Sequence, residues 1–335
     1  MKTVLVTGGA GYVGAILVPK LLDRGYRVKV LDLYLFGDHV LAPHEANPAL
    51  EQIKGDIRDI PLLKRILPGC DAVIHLACIS NDPSFELNPT LSKSINYDAF
   101  DPLVAISKQS GVRRFVYAST SSVYGVSDSP NVTEEHPLVP LTDYNRYKGL
   151  CEPVLLKQQS PEFTTVIIRP ATVCGYSPRL RLDLSVNILT NLAVNKRKIT
   201  IFGGSQKRPN IHIEDVTDLY ADLLELRVKL IAGKIFNASY QNNSIAELGE
   251  IVRSIVTTEM PHLKPIAMET TPTDDIRSYH VSSERIRREL GYVPKRTVED
   301  AVADLCAAFR AGKIPSSLDD IRYYNVKTIK ASNLI

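Results

Sequence analysis

The sequence predicts an α/β fold: a doubly wound parallel sheet followed by a smaller, mixed α/β C-terminal region. Apolar runs of strand length recur at residues 4–6, 27–31, 50–54, 72–76, 115–118 and 165–169. Helix-like stretches separate them, as in a parallel sheet with helices on both faces. From about Ser177 onward the elements become shorter and mixed. We therefore expect residues 1–176 to form the sheet domain, with elements of about 205–240 interleaved into it, and residues 177–335 to form mainly a second region.

Composition excludes several classes of protein. The chain has 335 residues, of which 44% are hydrophobic and 23% charged, which is ordinary for a globular protein. A net charge of +3 is too small to indicate a nucleic-acid surface, and no run of about twenty apolar residues predicts a membrane span. The five cysteines have no C-x-x-C spacing and indicate neither a disulfide framework nor a zinc site. This cysteine pattern predicts a cytoplasmic protein, and the N-terminus reads as a core strand rather than a signal peptide. No constellation of metal-ligating residues is visible in the sequence, so we expect no metal site.

A glycine turn follows the first apolar run. Gly8 and Gly11 permit backbone angles and close approaches that a Cβ would block, and Gly14 lets the following helix pack tightly on the strand. The N–H groups and dipole at that helix start favour a diphosphate. Asp32, eighteen positions after Gly14, ends the second run, where it can accept the hydroxyls of an adenosine ribose and would repel a 2′-phosphate. The alternative is a plain βα turn, but the whole unit predicts a Rossmann site for NAD rather than NADP.

A second signal is the pair Tyr144 and Lys148. Residues four apart share one face of a helix, so the ammonium group can lower the pKa of the phenol. Such a tyrosine can act as a base toward a sugar hydroxyl at neutral pH. The alternative is an exposed tyrosine beside a solvated lysine, and the glycine turn favours the catalytic interpretation.

A hydroxyl-rich loop lies between these two signals. The run at residues 115–118 leads into Ser119, Thr120, Ser121 and Ser122. Ligands of open α/β sheets bind beyond the carboxyl ends of strands, so these hydroxyls should face the nicotinamide and the substrate. The alternative is a Ser/Thr turn or helix cap.

Over nearly its whole length the chain resembles the extended short-chain dehydrogenase/reductases, specifically the NAD-dependent epimerase/dehydratase group that acts on nucleotide sugars. The resemblance is carried by the motifs at residues 7–14, 55–59, 75–77, 96, 119–125, 144–148, 169–170 and 208–212. It implies Tyr144 as acid/base, Thr120 as hydrogen-bond partner of the reacting hydroxyl, and Lys148 bridging a cofactor ribose. The residues implied to bind NAD are Gly8, Gly11, Tyr12, Val13, Gly14, Asp32, Asp56, Ile57, Leu76, Ala77, Asn96 and Lys148.

The resemblance also implies a homodimer built on two helices. The helix at residues 95–110 and the one carrying Tyr144 are similar to the pair that forms an intersubunit four-helix bundle in this family. Leu150, Val154 and Leu155 would then supply the apolar seam.

Departures from the family pattern reduce the number of reactions that we expect this chain to catalyse. Members that dehydrate a 4-keto sugar usually carry an Asp-Glu pair after the catalytic threonine, because elimination needs a further acid and base. Here those positions are Ser121 and Ser122, which disfavours a 4,6-dehydratase, and the missing glutamate also disfavours a decarboxylase. Thr172 stands where the family usually has asparagine.

The substrate expected from the resemblance is a nucleoside-diphosphate sugar, whose diphosphate needs cations. The resemblance implies that residues 177–335 form mainly the substrate-binding region and residues 1–176 the NAD-binding domain. Arg208 and Arg277, in the former, are the first candidates. Arg179 is a further candidate, although Arg179 and Arg181 alternatively form a solvated pair. The predicted substrate-binding residues are Ser121, Ser122, Thr172, Arg179, Arg208 and Arg277. His75 and His212 are expected to serve packing or backbone bonding.

The leading functional hypothesis is a nucleotide-sugar epimerase that acts at C4 through a transient 4-keto sugar and regenerates its NAD in each turnover. The alternative is a 4-dehydrogenase or 4-ketoreductase that uses the same residues for a net oxidation or reduction. A non-catalytic NAD-binding regulator is a third hypothesis, which the presence of Thr120, Tyr144 and Lys148 disfavours.

Overall fold

The protein is described by a computed structural model that covers residues 2–127, 129–273, 278, 280–332 and 334. Its strands are β1 (Thr3–Thr7), β2 (Arg27–Asp32), β3 (Leu50–Lys54), β4 (Ala72–His75), β5 (Arg114–Ala118), β6 (Thr164–Pro170), β7 (Thr172–Cys174), β8 (Lys198–Phe202), β9 (Lys207–His212), β10 (Lys234–Ala238), β11 (Gln241–Ser244) and β12 (Ala267–Thr271). Its helices are α1 (Gly14–Asp23), α2 (Ile60–Ile66), α3 (Asp82–Phe85), α4 (Pro89–Lys93), α5 (Phe100–Gln109), α6 (Asp143–Leu156), α7 (Ser185–Lys196), α8 (Ile213–Asp222), α9 (Val228–Ile231), α10 (Ile245–Glu259), α11 (Glu284–Leu290), α12 (Val298–Arg310) and α13 (Asn325–Ala331).

The main sheet has seven parallel strands in the order β3-β2-β1-β4-β5-β6-β10. Side chains of a strand alternate between its two faces, and β1 shows this directly. Val4 and Val6 pack in one apolar cluster, whereas Leu5 packs in the cluster on the opposite face. Both faces are thus buried under helices, which confirms the predicted doubly wound fold.

The order of the strands reverses between β1 and β4. β1 pairs with β2 on one side and with β4 on the other. Connections leave this point in opposite directions, so a crevice opens beyond the carboxyl ends of these strands. This crevice is the ligand site expected of the fold.

A smaller assembly follows β6. Strands β7, β9 and β11 form a three-stranded sheet, and β8 pairs with β12. Helices α7, α10 and α12 pack together over a separate apolar cluster. β10, however, returns to the edge of the main sheet beside β6, so this part of the chain contributes to both assemblies.

The helix predicted at residues 95–110 is interrupted. The helical stretch begins earlier, at α4, where the Asn88 side chain accepts a hydrogen bond from the N–H of Leu91. A π turn at Ser94–Asp98 separates α4 from α5. Such turns change the direction of side chains within a helix, and here the turn leaves Asn96 buried.

Leu155, expected in the dimer seam, is fully buried inside the protomer. It packs in the cluster under α5 and α6, because it lies on the face of α6 that covers the sheet. The prediction that Leu155 lies in the dimer seam is therefore wrong. Leu150, in contrast, is 43% exposed.

Within the described residues, no helix combines the length and apolarity that crossing a bilayer requires.

Candidate active site

A cleft of about 500 Å³ lies at the point where the strand order reverses. Its volume is within the range of small-molecule sites. It gathers most of the predicted residues: Gly8, Gly11, Tyr12, Val13, Gly14, Asp32, Asp56, Ile57, Leu76, Ala77, Thr120, Ser122, Tyr144, Lys148, Thr172 and Arg179. The glycine turn and the pair of Tyr144 and Lys148, which are more than a hundred residues apart in the sequence, therefore line one cavity.

The glycine turn is tight because backbone fills the space where side chains would be. A Cβ on Gly14 would lie 2.4 Å from the carbonyl oxygen of Gly9. A Cβ on Gly8, whose φ is +74°, would lie 2.7 Å from the nitrogen of Ala77. Only glycine therefore fits at these two positions, and the turn lines the cleft at the start of α1, which suits the diphosphate of a dinucleotide.

Asp32 lies at the tip of β2 and already stabilises the turn. Its carboxylate accepts hydrogen bonds from the N–H of Ala10 at 3.0 Å and from the N–H of Tyr34 at 2.8 Å. Burial raises the pKa of Asp32, while these two backbone donors lower it. Each carboxylate oxygen has a further lone pair, so the group can still accept a ribose hydroxyl.

Tyr144 lines the cleft from α6, whose first turn is capped by the Thr142 side chain. Burial, followed by Cys78, raises the pKa of Tyr144 well above 10.0, while Arg181 lowers it. A backbone hydrogen bond at Asn81 also lowers it. The structure thus differs from the expected lowered pKa, because removal of the phenol from water outweighs the neighbouring cation.

Lys148 lies one turn after Tyr144 on α6 and is 3% exposed. Its ammonium group donates to the carbonyl oxygen of Ala118 and lies 4.6 Å from the centre of the Tyr117 ring. The ammonium is therefore anchored at the carboxyl end of β5. It faces the cleft from there, where it can reach a ribose.

A buried polar network supports the loop that carries Thr120. Arg169 and Glu152 form an ion pair of 2.6 Å in which both side chains are at most 3% exposed. The Ser119 hydroxyl donates to Glu152 at 2.6 Å, and Arg169 also donates to the Tyr124 hydroxyl at 2.6 Å. The network joins β5, β6 and α6, so it fixes Thr120 relative to Tyr144.

Three predicted site residues among the described ones do not line the cleft. The Asn96 side chain uses its oxygen and its nitrogen on the backbone of Ile79, so it holds the loop after β4. Ser121 is 1% exposed, and neither it nor Arg208 lines the cleft. Arg208 is partly exposed on β9 of the smaller sheet and donates to the carbonyl oxygen of Lys207. Arg277 lies outside the described residues.

The alternative of a solvated pair for Arg179 and Arg181 is wrong, because they are only 4% and 8% exposed and both line the cleft. Arg181 binds the Asp183 carboxylate at 2.9 and 3.1 Å. His75 is buried with its Nδ1 2.7 Å from the Thr7 hydroxyl, in a packing role as expected.

Sequence reasoning missed Asn81 and Asn325, which also line the cleft. Asn81 has a φ of +72°, a strained value for a residue with a side chain. Its side chain caps α3 through the N–H of Ser84 and donates to Asp183. The sequence gives no signal for Asn325, since it reaches the cleft only through the path of the C-terminal segment.

The model of the NAD dependent epimerase/dehydratase family matches residues 4–239, which include the glycine turn, Thr120, Tyr144 and Lys148. The chain belongs to this family. Among the family's relatives, UDP-glucose 4-epimerase of Azospirillum brasilense is 28% identical over 319 residues, which cover 89% of each chain. The similarity thus extends beyond the sheet domain into the C-terminal region.

Solved structures of this family are similar over the same extent. DesIV, a dTDP-glucose 4,6-dehydratase from Streptomyces venezuelae with NAD bound, has a TM-score of 0.82 at 26% identity, covering 93% of this chain and 98% of that one. MoeE5 in complex with UDP-glucuronic acid and NAD has a TM-score of 0.77 at 25% identity, covering 92% and 99%. The cofactor is NAD, in agreement with the glycine turn and Asp32.

Proposed function

We propose that this protein is an NAD-dependent nucleotide-sugar epimerase that acts at C4 through a transient 4-keto sugar. One observation carries the proposal. Thr120, Tyr144 and Lys148 converge in the cleft, and no glutamate is among the described residues that line it. The cleft thus holds the groups for moving a proton at a sugar hydroxyl without the extra acid–base pair of a dehydratase.

In this proposal Tyr144 removes the proton of the C4 hydroxyl and returns it at the end of the cycle. Thr120 orients that hydroxyl by a hydrogen bond. NAD, when bound, supplies the hydride acceptor and donor. Because the keto sugar turns between the two transfers, the hydride returns to its other face, and no external oxidant or reductant is consumed.

The cations beside Tyr144 support proton transfer. Arg181 already lowers the pKa of the phenol against the effect of burial. Lys148, anchored at Ala118, adds a second positive charge at the same end of the cleft. An opposite charge within a few ångströms favours the phenolate, and a positively charged nicotinamide ring acts in the same direction.

Two carboxylates that line the cleft, those of Asp82 and Asp183, already have partners. The Thr142 hydroxyl donates to Asp82 at 2.6 Å, and Asp183 is bound by Arg181. Ser122, one of the two positions that usually hold the dehydratase acids, lines the cleft as a hydroxyl. These contacts support an epimerase over a dehydratase.

The test uses nucleotide sugars that carry deuterium at C4, with UDP, GDP, CDP and dTDP as the nucleotides. We expect one of them to be converted to its C4 epimer with the deuterium retained at C4, as followed by proton NMR. Tyr144→Phe is the matched control, since it removes only the reacting hydroxyl.

Three results would contradict the proposal. Accumulation of reduced cofactor with a 4-keto product would show a net oxidoreductase. A product lighter by one water would show a dehydratase. NAD binding without turnover of any sugar in the panel would show a non-catalytic regulator. We also expect a cytoplasmic location, on the cysteine pattern alone.

A further inference from the structure

Arg179 is a buried cation with unused hydrogen-bond donors. It follows β7 and is 4% exposed. Its Nη2 donates to the side-chain oxygen of Asn325, but its Nε and Nη1 have no hydrogen-bond partner among the described residues. Buried polar groups are nearly always paired, so two such donors at the wall of a cleft point to a ligand.

Among the described residues, no carboxylate forms an ion pair with Arg179. Burial, followed by Arg181, lowers its pKa to about 9, although the charges of Asp183 and Asp32 raise it. Asp183 is occupied by Arg181, and Asp32 by the N–H groups of Ala10 and Tyr34. Because a buried cation without an ion-pair partner is costly, an anion bound beside Arg179 would be stabilised.

The neighbours of Arg179 indicate at which end of the cleft its side chain lies. Its guanidinium lies 3.6 Å from the centre of the Phe36 ring. Phe36 comes four residues after Asp32, beyond the tip of β2. Thr120 and Thr172, in contrast, follow β5 and β6 on the other side of the point where the strand order reverses. Arg179 therefore faces the adenosine half of the dinucleotide.

We infer that Arg179 binds a phosphate of the NAD diphosphate through its Nε and Nη1. A guanidinium fork matches two phosphate oxygens, and the glycine turn would hold the same group from the opposite side. The sequence analysis predicted that Arg179 binds the substrate, whereas this assignment makes it a cofactor-binding residue. It rests on the identity of the cofactor and not on the proposed epimerisation.

The C-terminal segment positions the Arg179 side chain through hydrogen bonds of Asn325. Asn325, the first residue of α13, accepts from Arg179 and donates to the Ser80 hydroxyl at 2.9 Å. Its backbone N–H donates to Asp183 at 3.3 Å. Ile329, one turn later, lines the cleft and belongs to the same apolar cluster as Leu31 and Ile57. Asn325 is thus a positioning residue, and α13 closes the adenosine end of the cofactor site.

The experiment measures binding of NAD, NADP, ADP-ribose, adenosine and UDP by calorimetry, without any sugar nucleotide. Arg179→Met should weaken NAD and ADP-ribose by about 10- to 100-fold, as expected for charge-assisted hydrogen bonds, and leave adenosine unchanged. Arg179→Lys should lose less affinity for NAD and ADP-ribose, because the positive charge remains. Asn325→Ala should weaken NAD by a smaller factor, whereas Arg322→Met, in the same segment but exposed, should bind as the wild type does.

Several outcomes would overturn the inference. Unchanged NAD affinity in Arg179→Met, or an equal loss for adenosine, would exclude a phosphate contact. A loss confined to UDP binding would return Arg179 to the substrate. Preference of the wild type for NADP, abolished in Arg179→Met, would assign it to a 2′-phosphate instead. Because no sugar is present, none of these results depends on whether the protein is an epimerase; if Arg179→Met does not fold, the comparison of Arg179→Lys with the wild type decides.

Discussion

Tyr144 combines a reactive position with an unfavourable environment for ionisation. Its pKa lies well above 10.0 because burial and Cys78 outweigh Arg181 and the backbone hydrogen bond at Asn81. In the protein without NAD, the phenol is therefore harder to ionise than an ordinary tyrosine. A positive nicotinamide ring would offset part of the burial effect.

We predict that Tyr144→Phe lowers turnover by about 10²–10⁴-fold with NAD affinity unchanged, because only the proton-transfer group is removed. In ultraviolet titration, NAD-free wild type and Tyr144→Phe should gain tyrosinate in parallel up to pH 10.0. With NAD bound, the wild type should ionise one additional tyrosine at lower pH. Wild-type turnover in the variant would exclude Tyr144 as the acid/base.

At the scale of elements, the buried pair of Glu152 and Arg169 joins α6 to β6. We predict that Glu152→Gln lowers the free energy of unfolding by about 3–5 kcal/mol, because it leaves the Arg169 charge buried without a counter-charge. Urea denaturation measures the change. Glu284→Gln, which breaks an exposed pair with Arg287, is the control and should change stability by about 0.5 kcal/mol or less.

The double variant Glu152→Gln with Arg169→Met tests the reason for that loss. Removing both charges removes the uncompensated cation, so the double variant should be less destabilised than the sum of the single ones. Simple additivity would mean that the two side chains stabilise the protein independently.

Two glycines of helices should respond to alanine in opposite ways. A Cβ on Gly149, inside α6, would make ordinary 3.5 Å contacts with Leu138 and Val123. Gly149→Ala should therefore raise stability by about 0.5–1 kcal/mol, since glycine is unfavourable within helices. Gly14→Ala would bring its Cβ within 2.4 Å of the Gly9 oxygen and should abolish NAD binding. Thermal unfolding and NAD titration of both variants check this, and unimpaired NAD binding by Gly14→Ala would contradict it.

At the scale of the whole molecule, exposed apolar side chains are unevenly distributed. Five of the ten large ones among the described residues lie between 126 and 150: Val126, Leu138, Val139, Leu141 and Leu150. This region adjoins α6, which packs beside α5. Exposed apolar residues concentrated on one part of a surface are typical of an interface.

We predict that the protein is a homodimer and that Leu150→Glu dissociates it, because the charge would be buried against the partner's apolar surface. Sedimentation velocity at micromolar concentration measures the change. Val293→Glu, at a 52% exposed position in another part of the chain, is the control and should remain dimeric. A wild type that sediments as a monomer would contradict the prediction.

The sequence was sufficient for the parts of the site that depend on local pattern. The glycine turn, Asp32 and the spacing of Tyr144 and Lys148 reflect backbone geometry and helix periodicity over a few residues, and all of them line the cleft. The alternation of strands and helices likewise predicted the doubly wound sheet, because the periodicity of buried residues differs between strands and helices.

Only the tertiary structure decided which charges are buried and what they face. Arg179 and Arg181 have the same sequence signature as a solvated pair. Yet Arg181 binds Asp183, whereas two donors of Arg179 have no partner in the part of the chain that the structure describes. Asn325 reaches the cleft from more than a hundred residues beyond Tyr144. Burial and hydrogen bonding depend on contacts between distant segments, which local periodicity does not encode. The contribution of the C-terminal segment to the lining of the cleft is therefore visible only in the folded chain.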